Sequence, residues 1–247
     1  RLWPQTRIAA LFTADTAPLA TAGRVAAALA LPPGRILARE VADRIWEREW
    51  LIHFHAMRFG RRLWVAPHHE HIAEPGAVVV QLDPGLAFGT GNHPTTALCL
   101  EWLDDRLEPG AHVIDYGCGS GILALAAAKL GAARVECFDI DPQALIATRS
   151  NAAASGVAER VHAVDHDRDL APGADVLLAN ILSEPLVKLA PRFAELTRTG
   201  GAVVLAGLLA MQADGMTEAY GTWFDMTRFG ARDDWVGLTG VRRARGS

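Results

Sequence analysis

The stretch VIDYGCGSG, residues 113–121, decides the fold of this chain. Its first four residues are mostly apolar, which is typical of a buried strand, and glycines follow at positions 117, 119 and 121. Glycine lets the backbone turn tightly and approach a ligand without a side chain between them. Apolar residues after Gly121 recur as in a buried helix. A strand, a glycine loop and a helix in this order indicate a ligand site at the carboxyl edge of an open α/β sheet.

The sequence around this stretch alternates between apolar strands and helices. This alternation predicts a doubly wound parallel sheet with helices on both faces. Two further segments, separated by a short polar turn, predict an antiparallel hairpin that completes a seven-stranded sheet. The predicted strands are 113–116, 135–140, 161–164, 174–179 and 202–206, with the hairpin at 224–229 and 235–241. The predicted helices are 120–130, 142–154, 184–197 and 208–220.

The residues upstream predict a smaller α+β unit. We expect a strand over Ile8–Phe12 and a helix over Thr21–Leu31, ended by the Pro32-Pro33-Gly34 sequence. Residues 40–50 have apolar positions at helical spacing and predict an amphipathic linker helix. Short strands are predicted at 63–65 and 78–82. We therefore divide the chain into a partial N-terminal domain (1–40), a linker helix (41–58) and a catalytic domain (59–247). Because Arg1 runs straight into this unit, we expect a segment upstream to be missing or removed.

The composition excludes several classes of protein. Half of the 247 residues are apolar and the formal net charge is −4, so we expect a soluble globular chain with no electrostatic footprint for nucleic acid. The three cysteines include no CxxC pair, which favours a reducing cytosol over a disulfide framework. No apolar run is long enough to span a membrane and no signal peptide is visible. We expect a cytoplasmic monomer.

The glycine loop by itself is compatible with two ligands. Residues 119–124, GSGILA, satisfy the dinucleotide pattern G-x-G-x-x-G/A, and Asp139 follows about twenty residues on, so a nicotinamide or flavin enzyme remains an alternative. However, Asp115 precedes the first glycine by two residues and faces the ligand crevice. A negative charge there suits the ammonium of an amino-acid cofactor and opposes a pyrophosphate. Together with Gly117 it gives the D-x-G-x-G-x-G spacing of S-adenosylmethionine-dependent methyltransferases, which also end in a hairpin.

Two aspartates follow the next predicted strand and have different predicted roles. Asp141 precedes Pro142 and a helix, so it is predicted to cap that helix. Asp139 has no capping duty, and its carboxylate can accept hydrogen bonds from both hydroxyls of an adenosine ribose. We therefore predict that Asp139 binds the cofactor.

The fourth predicted strand ends at Asn180, which the following helix does not need as a cap. In amino-group methylases a polar residue at this place accepts a hydrogen bond from the target amine. Nucleic-acid amino methylases continue with two prolines and an aromatic residue that stacks on a flipped base. Here Ile181, Leu182 and Ser183 follow instead, so an aliphatic amine is the better substrate.

One further cluster, His68-His69-Glu70-His71, has residue types that bind metals. Without a distant set of ligands in the sequence, we favour a surface loop over a metal site.

The motif LDPGLAFGTGNHPTT (82–96) adds a family resemblance. Together with the glycine loop, the DIDP sequence at 139–142 and the NIL sequence at 180–182, it makes the chain closely resemble the bacterial PrmA family, which methylates ribosomal protein L11. The resemblance extends from about Asp43, through the WEREW sequence at 46–50, to the C-terminus. It implies a class I methyltransferase domain, preceded by a ferredoxin-like domain that recognises the substrate.

The resemblance also assigns residues. Cofactor contacts carried over from the family are Thr96, Gly117, Asp139 and Asn180, to which the residue pattern adds Asp115 and Gly119. The family usually has threonine where this chain has Asn92, on the substrate side of its turn. The predicted reaction is in-line methyl transfer to a neutral amine that Asn180 orients, so the protein mainly positions the reactants. His93 is close to the site in sequence, but a capping or packing role fits it equally well.

Three alternatives remain open at this point. The chain could methylate RNA or another protein, although no basic stripe supports RNA. It could be a nicotinamide-dependent oxidoreductase, which Asp115 and the hairpin disfavour. It could also bind cofactor without activity of its own, if its recognition domain is incomplete.

Overall fold

The computed structural model describes residues 9–13, 16–32, 35–39, 55–82 and 91–244. The chain divides into two compact units, residues 1–46 and 47–247. The predicted linker helix over 40–50 and residues 83–90 of the glycine-rich motif lie outside the described residues. None of the described helices is both long and apolar enough to cross a bilayer.

The described part of the first unit contains one helix, α1 (Pro18–Ala28). It begins three residues before the predicted start because Pro18 occupies the first helical turn, where proline is favoured. The predicted strand is wrong for its described residues, since Ala9–Phe12 form no strand. Leu11 and Phe12 are exposed there and pair with no neighbouring strand among the described residues. An apolar run becomes a strand only when another strand supplies its hydrogen bonds.

The second unit begins with a small sheet of three strands, β1 (Met57–Phe59), β2 (Leu63–Ala66) and β3 (Val78–Gln81). β1 runs antiparallel to β2, and β2 runs parallel to β3. Helix α2 (Pro94–Arg106) follows. The carboxylate of Asp104, on the last turn of α2, accepts the backbone N–H groups of Arg61 and Arg62 and so ties the β1–β2 turn to the helix.

The main sheet has seven strands in the order β6-β5-β4-β7-β8-β10-β9. Its first five strands are parallel, and β9 and β10 form the antiparallel hairpin at one edge. The strands are β4 (His112–Tyr116), β5 (Arg134–Phe138), β6 (Val161–Ala163), β7 (Ala174–Asn180), β8 (Thr197–Leu209), β9 (Phe224–Arg232) and β10 (Trp235–Arg242). Among the described residues the remaining α-helices are α3 (Ile122–Lys129), α4 (Pro142–Ala154), α5 (Ser183–Leu196) and α6 (Ala213–Tyr220).

Neighbouring residues of the central strands point to opposite faces of this sheet, as the strand period requires. Val113 and Val204 belong to the core on the side of α2, α3 and α4. Ile114 and Val203 belong to the core on the side of α5 and α6. The predicted doubly wound fold with a C-terminal hairpin is therefore confirmed.

Element bounds differ from the predicted ones at two places that matter for the site. β5 ends at Phe138, so Asp139 and Ile140 leave the sheet, and Ile140 is 93% exposed. The predicted helix over 208–220 starts only at Ala213. Leu209 still pairs with Trp235 in the sheet, and a short 3-10 turn, Ala210–Gln212, intervenes.

Candidate active site

The strand order reverses between β4 and β7, because β4 leads outward to β5 and β6 whereas β7 leads the other way to β8. In open α/β sheets this switch point leaves a crevice beyond the carboxyl ends of the two strands. β4 ends in the glycine loop and β7 ends at Asn180. The structure therefore brings the predicted cofactor loop and the predicted amine-binding residue to the same crevice.

Asp115 is buried near the end of β4, and only one of its two carboxylate oxygens accepts a hydrogen bond. Its Oδ2 accepts the backbone N–H of Ala124, 3.0 Å away, in the first turn of α3. Its Oδ1 has no hydrogen-bond partner among the described residues. Burial raises the pKa of Asp115 to about 7, opposed by the Ala124 N–H and increased by the nearby charge of Asp139. A buried carboxylate oxygen without a partner suits a cationic ligand group, as an amino-acid ammonium would supply.

The glycine loop is held by the end of β5. The N–H groups of Gly117 and Cys118 donate to the carbonyl oxygen of Phe138 at 2.7 and 3.1 Å. Asp139 Oδ2 accepts the N–H of Gly119 at 2.9 Å, and its Oδ1 accepts the N–H of Asp141 at 2.9 Å. Asp139 thus has a structural duty that the sequence did not reveal. Each carboxylate oxygen can accept a second hydrogen bond, so ribose hydroxyls remain compatible with this arrangement.

Side chains of helix α4 donate hydrogen bonds to the backbone of the same loop. The sequence did not identify these residues as part of the site. Thr148 is fully buried, and its hydroxyl donates to the carbonyl oxygen of Gly119 at 3.1 Å. Asn151 Nδ2 donates to the carbonyl oxygen of Ser120 at 2.8 Å. Both are polar residues in an alanine-rich helix, which is the one signal in the sequence that could have pointed to them. The predicted cap of α4 is confirmed, since Asp141 accepts the N–H of Gln143.

Asn180 and Thr96 are brought together although 84 residues separate them in the chain. Asn180 Nδ2 donates to the Thr96 hydroxyl oxygen at 3.2 Å, and Thr96 is buried at the start of α2. This hydrogen bond fixes the amide plane of Asn180. Its Oδ1 accepts no hydrogen bond from any described residue, so the acceptor that an amine would need is available.

Ile181 fills the space beside two glycines that have left-handed backbone angles. A Cβ atom on Gly117, whose φ is +82°, would lie 2.3 Å from Ile181 Cγ2. A Cβ atom on Gly207, whose φ is +83°, would lie 2.2 Å from the Ile181 carbonyl oxygen. The turn after Asn180 is therefore packed against both the cofactor loop and β8. Gly207 could not be identified from the sequence, because nothing in its local pattern shows what approaches it.

His93 both caps a helix and packs against an aromatic ring, which are the two roles that the sequence offered as alternatives to catalysis. Its Nδ1 lies 2.7 Å from the Thr95 hydroxyl oxygen and also accepts the Thr95 N–H, so it caps α2. Its ring meets the ring of Trp235 edge-on, with centroids 4.9 Å apart. Asn92, beside it, is exposed and lines a cavity of about 780 Å³ together with Phe59, Pro94 and Asp233.

The histidine-rich loop has a local structural role. Glu70 accepts the N–H of Ala56 at 2.8 Å and lies 3.0 Å from His55 Nδ1. Over the described parts of the chain, no group of three or more potential ligands is placed to hold a metal ion.

Comparison with known proteins identifies the family of this chain. The family model described as "Ribosomal protein L11 methyltransferase (PrmA)" matches residues 1–243. A ribosomal protein L11 methyltransferase of Pseudomonas paraeruginosa is 50% identical over 246 residues, covering 98% of this chain and 83% of the relative. The enzyme of the same name from Pectobacterium carotovorum is 49% identical over 248 residues, covering 99% and 83%.

Solved structures give the same result. A ribosomal protein L11 methylase from Lactobacillus delbrueckii subsp. bulgaricus superposes with a TM-score of 0.71 at 31% identity, covering 77% of this chain and all of that one. An S-adenosylmethionine-dependent O-methyltransferase from Thermotoga maritima has a TM-score of 0.51 at 16% identity over 60% of this chain and 64% of its own, which shows a shared fold.

Proposed function

Since the chain belongs to the ribosomal protein L11 methyltransferase family, we propose that it transfers methyl groups from S-adenosylmethionine to amino groups of ribosomal protein L11. It is therefore a protein methyltransferase. The amino groups proposed are lysine side chains, the N-terminal amine, or both, because the residues after Asn180 include nothing flat to hold a base.

The observation that carries this proposal is the Asn180–Thr96 hydrogen bond at the carboxyl end of β7, next to the glycine loop. The bond uses one of the two N–H donors of Asn180, and Oδ1 would be the atom that accepts from the substrate amine. An amide oxygen accepts an N–H of the amine and so orients the nitrogen lone pair. Holding the reactants in a reactive geometry can contribute roughly 7–11 kcal/mol to lowering a barrier.

Six residues would hold the methyl donor in the proposed site, and two of them, Thr96 and Asn180, also share the hydrogen bond described above. Asp115 Oδ1 would accept the ammonium of its amino-acid group, and the backbone of Gly117 and Gly119 would lie along it. Asp139 would accept the ribose hydroxyls. When bound, S-adenosylmethionine supplies a methyl group on a positively charged sulfur, and the neutral thioether that remains is a good leaving group.

The chain's own residues act mainly by orientation. The amine must lose a proton before its lone pair is available, and an ordinary lysine has a pKa of about 10.4. Exclusion of water at the crevice would lower that pKa, because burial disfavours the charged form. Asn180 would then hold the neutral amine in line with the donor, with no general base assigned.

Calorimetric titration with S-adenosylhomocysteine tests the cofactor assignment, with NAD as a parallel titration and an Asp139→Ala variant beside the wild type. We expect saturable binding of S-adenosylhomocysteine, weaker binding in the variant, and no binding of NAD. Asp139→Asn serves as a matched control, because asparagine keeps one side-chain oxygen that can accept a backbone N–H, whereas alanine keeps none. Binding of NAD alone would overturn the assignment.

Transfer of a labelled methyl group to purified ribosomal protein L11 tests the reaction itself. We expect label in L11 with the wild type and a large loss of kcat with Asn180→Ala, in excess of any weakening of S-adenosylhomocysteine binding, because Asn180 is also a proposed cofactor contact. Label in RNA but not in L11 would contradict the proposal.

We also propose the domain arrangement that the sequence suggested. Residues 1–40 would be part of a substrate-recognition domain and 59–247 the catalytic domain. The linker helix predicted over 41–58 would end earlier, because Met57 and Arg58 belong to β1. The division into compact units at residues 46 and 47 supports this. We further propose that the chain acts as a monomer in the cytoplasm, on L11 either free or on the ribosome, and without binding nucleic acid directly. Limited proteolysis should cut first between residues 40 and 58.

A further inference from the structure

Two large apolar side chains are exposed at the carboxyl edge of the main sheet, although their backbones are well anchored. Leu182 is 73% exposed and Met211 is 88% exposed. Between them, Gln212 Nε2 donates to the Ser183 hydroxyl oxygen at 2.7 Å, and Gln212 Oε1 accepts the N–H of Leu209 at 2.8 Å. Each apolar residue is thus the immediate neighbour of a hydrogen-bonded residue. We call Leu182 and Met211 the rim pair.

Leu182 occupies a helix N-cap position, where a polar residue is preferred. Leu182 is the N-cap of α5, a helix of 14 residues, and it provides no side-chain cap. Leucine is among the least favourable N-cap residues, whereas serine, asparagine and aspartate satisfy the unpaired N–H groups there. Neither helix stability nor solubility explains an exposed leucine at this position. Such a conflict between local preference and structure is expected at functional positions.

The rim pair lies beside the proposed amine site. Leu182 is two residues from Asn180, and Asn180 pairs with Ala206 of β8, three residues before that strand ends at Leu209. Met211 lies two residues after the end of β8, in the 3-10 turn. A protein segment that reaches Asn180 across this edge would cover the two apolar side chains.

The charges around the rim pair are compatible with a cationic segment. The exposed Asp233 and Asp234 form the turn of the β9–β10 hairpin, and the Asp234 carbonyl oxygen accepts the N–H of Ala210, the neighbour of Met211. Asp214, in the first turn of α6, is also exposed. Carboxylates at the rim attract a segment that carries an amine which is protonated in solution.

From these observations we infer that Leu182 and Met211 form a docking surface for the segment of ribosomal protein L11 that bears the target amine, with apolar side chains next to that amine covering the rim pair. The inference rests on the proposed function. It adds the part of the catalytic domain that the substrate touches, and it requires that the segment be apolar on at least one side of the amine.

The test compares Leu182→Ser and Met211→Ser with the wild-type 247-residue chain, in the presence of S-adenosylhomocysteine. The affinity for purified L11 is measured by calorimetry, and KM and kcat for L11 are measured by methyl transfer. We expect each variant to bind L11 roughly ten-fold more weakly, with KM raised accordingly, because apolar contact area is lost. We expect kcat at saturating L11 and the affinity for S-adenosylhomocysteine to stay unchanged.

Two controls distinguish a role of the rim pair in binding L11 from a role in stabilising the fold. Ile146→Ser removes another exposed apolar side chain, 55% exposed on α4, and should change none of these quantities. Leu182→Ser places a better N-cap on α5, so its thermal stability should be equal or higher while its affinity for L11 falls. If Leu182 served only to stabilise the fold, the variant would be less stable and its affinity for L11 would be unchanged.

Three outcomes would overturn the inference. The first is an unchanged affinity for L11 in both variants. The second is a parallel loss of S-adenosylhomocysteine binding, which would place the two residues in the cofactor site. The third is a dimeric wild type that the substitutions convert to monomers without affecting L11, since the rim pair would then join two copies of this chain. Failure of the proposed function looks different, because the wild type itself would then neither methylate nor bind L11.

Discussion

Gly207 and Ile181 approach each other so closely that no side chain fits between them. A Cβ atom on Gly207 would lie 2.2 Å from the carbonyl oxygen and 2.9 Å from the carbonyl carbon of Ile181. These are backbone atoms, which cannot rotate away as a flexible side chain could. The turn that carries Asn180 is therefore positioned by the shape of β8 as well as by its own residues.

Gly207→Ala is expected to damage catalysis more than cofactor binding. The added Cβ forces the Ile181 turn away and strains a backbone with φ of +83°. A displacement of the order of 1 Å at Asn180 should lower kcat roughly 100-fold. Stability should fall by about 1–3 kcal/mol in urea unfolding. The control is Gly215→Ala in α6, where nothing lies within 4 Å and alanine should be neutral or slightly stabilising. Equal kcat values for both variants would contradict this reading.

Substitutions at Ile181 distinguish the shape of its side chain from its volume. Valine keeps the Cγ2 methyl that lies against Gly117, whereas leucine keeps the volume but not the branch at Cβ. We expect Ile181→Val to retain most of kcat and Ile181→Leu to lose roughly ten-fold or more, with similar KM for L11. Steady-state kinetics would decide, and a leucine variant more active than the valine variant would show that volume is what matters.

The raised pKa of Asp115 makes stability depend on pH in a defined direction. The unfolded carboxyl has an ordinary pKa of 3.8, and burial raises it to about 7 in the folded chain. Between these values the folded state holds a proton that the unfolded state has lost, so the contribution of Asp115 to stability decreases as pH rises from about 4 to 7. Relative to Asp115→Asn, the wild type should lose roughly 2–4 kcal/mol between pH 4.5 and 8, as measured by urea unfolding. A constant difference between the two proteins would contradict the expectation.

The same group should couple cofactor binding to proton release. An ammonium beside Oδ1 favours the ionised carboxylate, so S-adenosylhomocysteine should bind more tightly as pH rises through 7. Near pH 6.5, binding should release up to one proton, which calorimetry in buffers of different ionisation enthalpy would detect. Asp115→Asn should bind more weakly and remove this release. Proton uptake by the wild type would count against the assigned contact.

Thr148 should support the cofactor loop through its hydroxyl. Thr148→Val retains the shape but leaves the Gly119 carbonyl oxygen without its donor, at a cost of about 1–3 kcal/mol. We expect weaker binding of S-adenosylhomocysteine and a lower unfolding midpoint. Thr148→Ser, which keeps the hydroxyl, should recover much of the binding. Equal losses in both variants would assign the effect to packing of the methyl group.

The sequence predicted the parts of this molecule that depend on local pattern. The parallel strands, the glycine loop and the cap at Asp141 follow from periodicity and from the preferences of neighbouring residues. The strand expected over Ile8–Phe12 was wrong for its described residues, because apolar character alone does not provide a pairing partner. The support from Thr148 and the need for glycine at 207 arise from contacts between distant segments, which a single sequence does not display.

The arrangement of Ile181 between two glycines has a consequence for how this enzyme can change. A side chain at 117 requires the Ile181 side chain to shrink, whereas a side chain at 207 meets the Ile181 backbone, which no substitution at 181 removes. Positions 117 and 181 must therefore vary together, whereas position 207 is restricted to glycine whatever residue stands at 181. Libraries aimed at a new amine substrate would reach more functional variants by keeping glycine at 207 and randomising codons 117 and 181 jointly than by scanning all three one at a time.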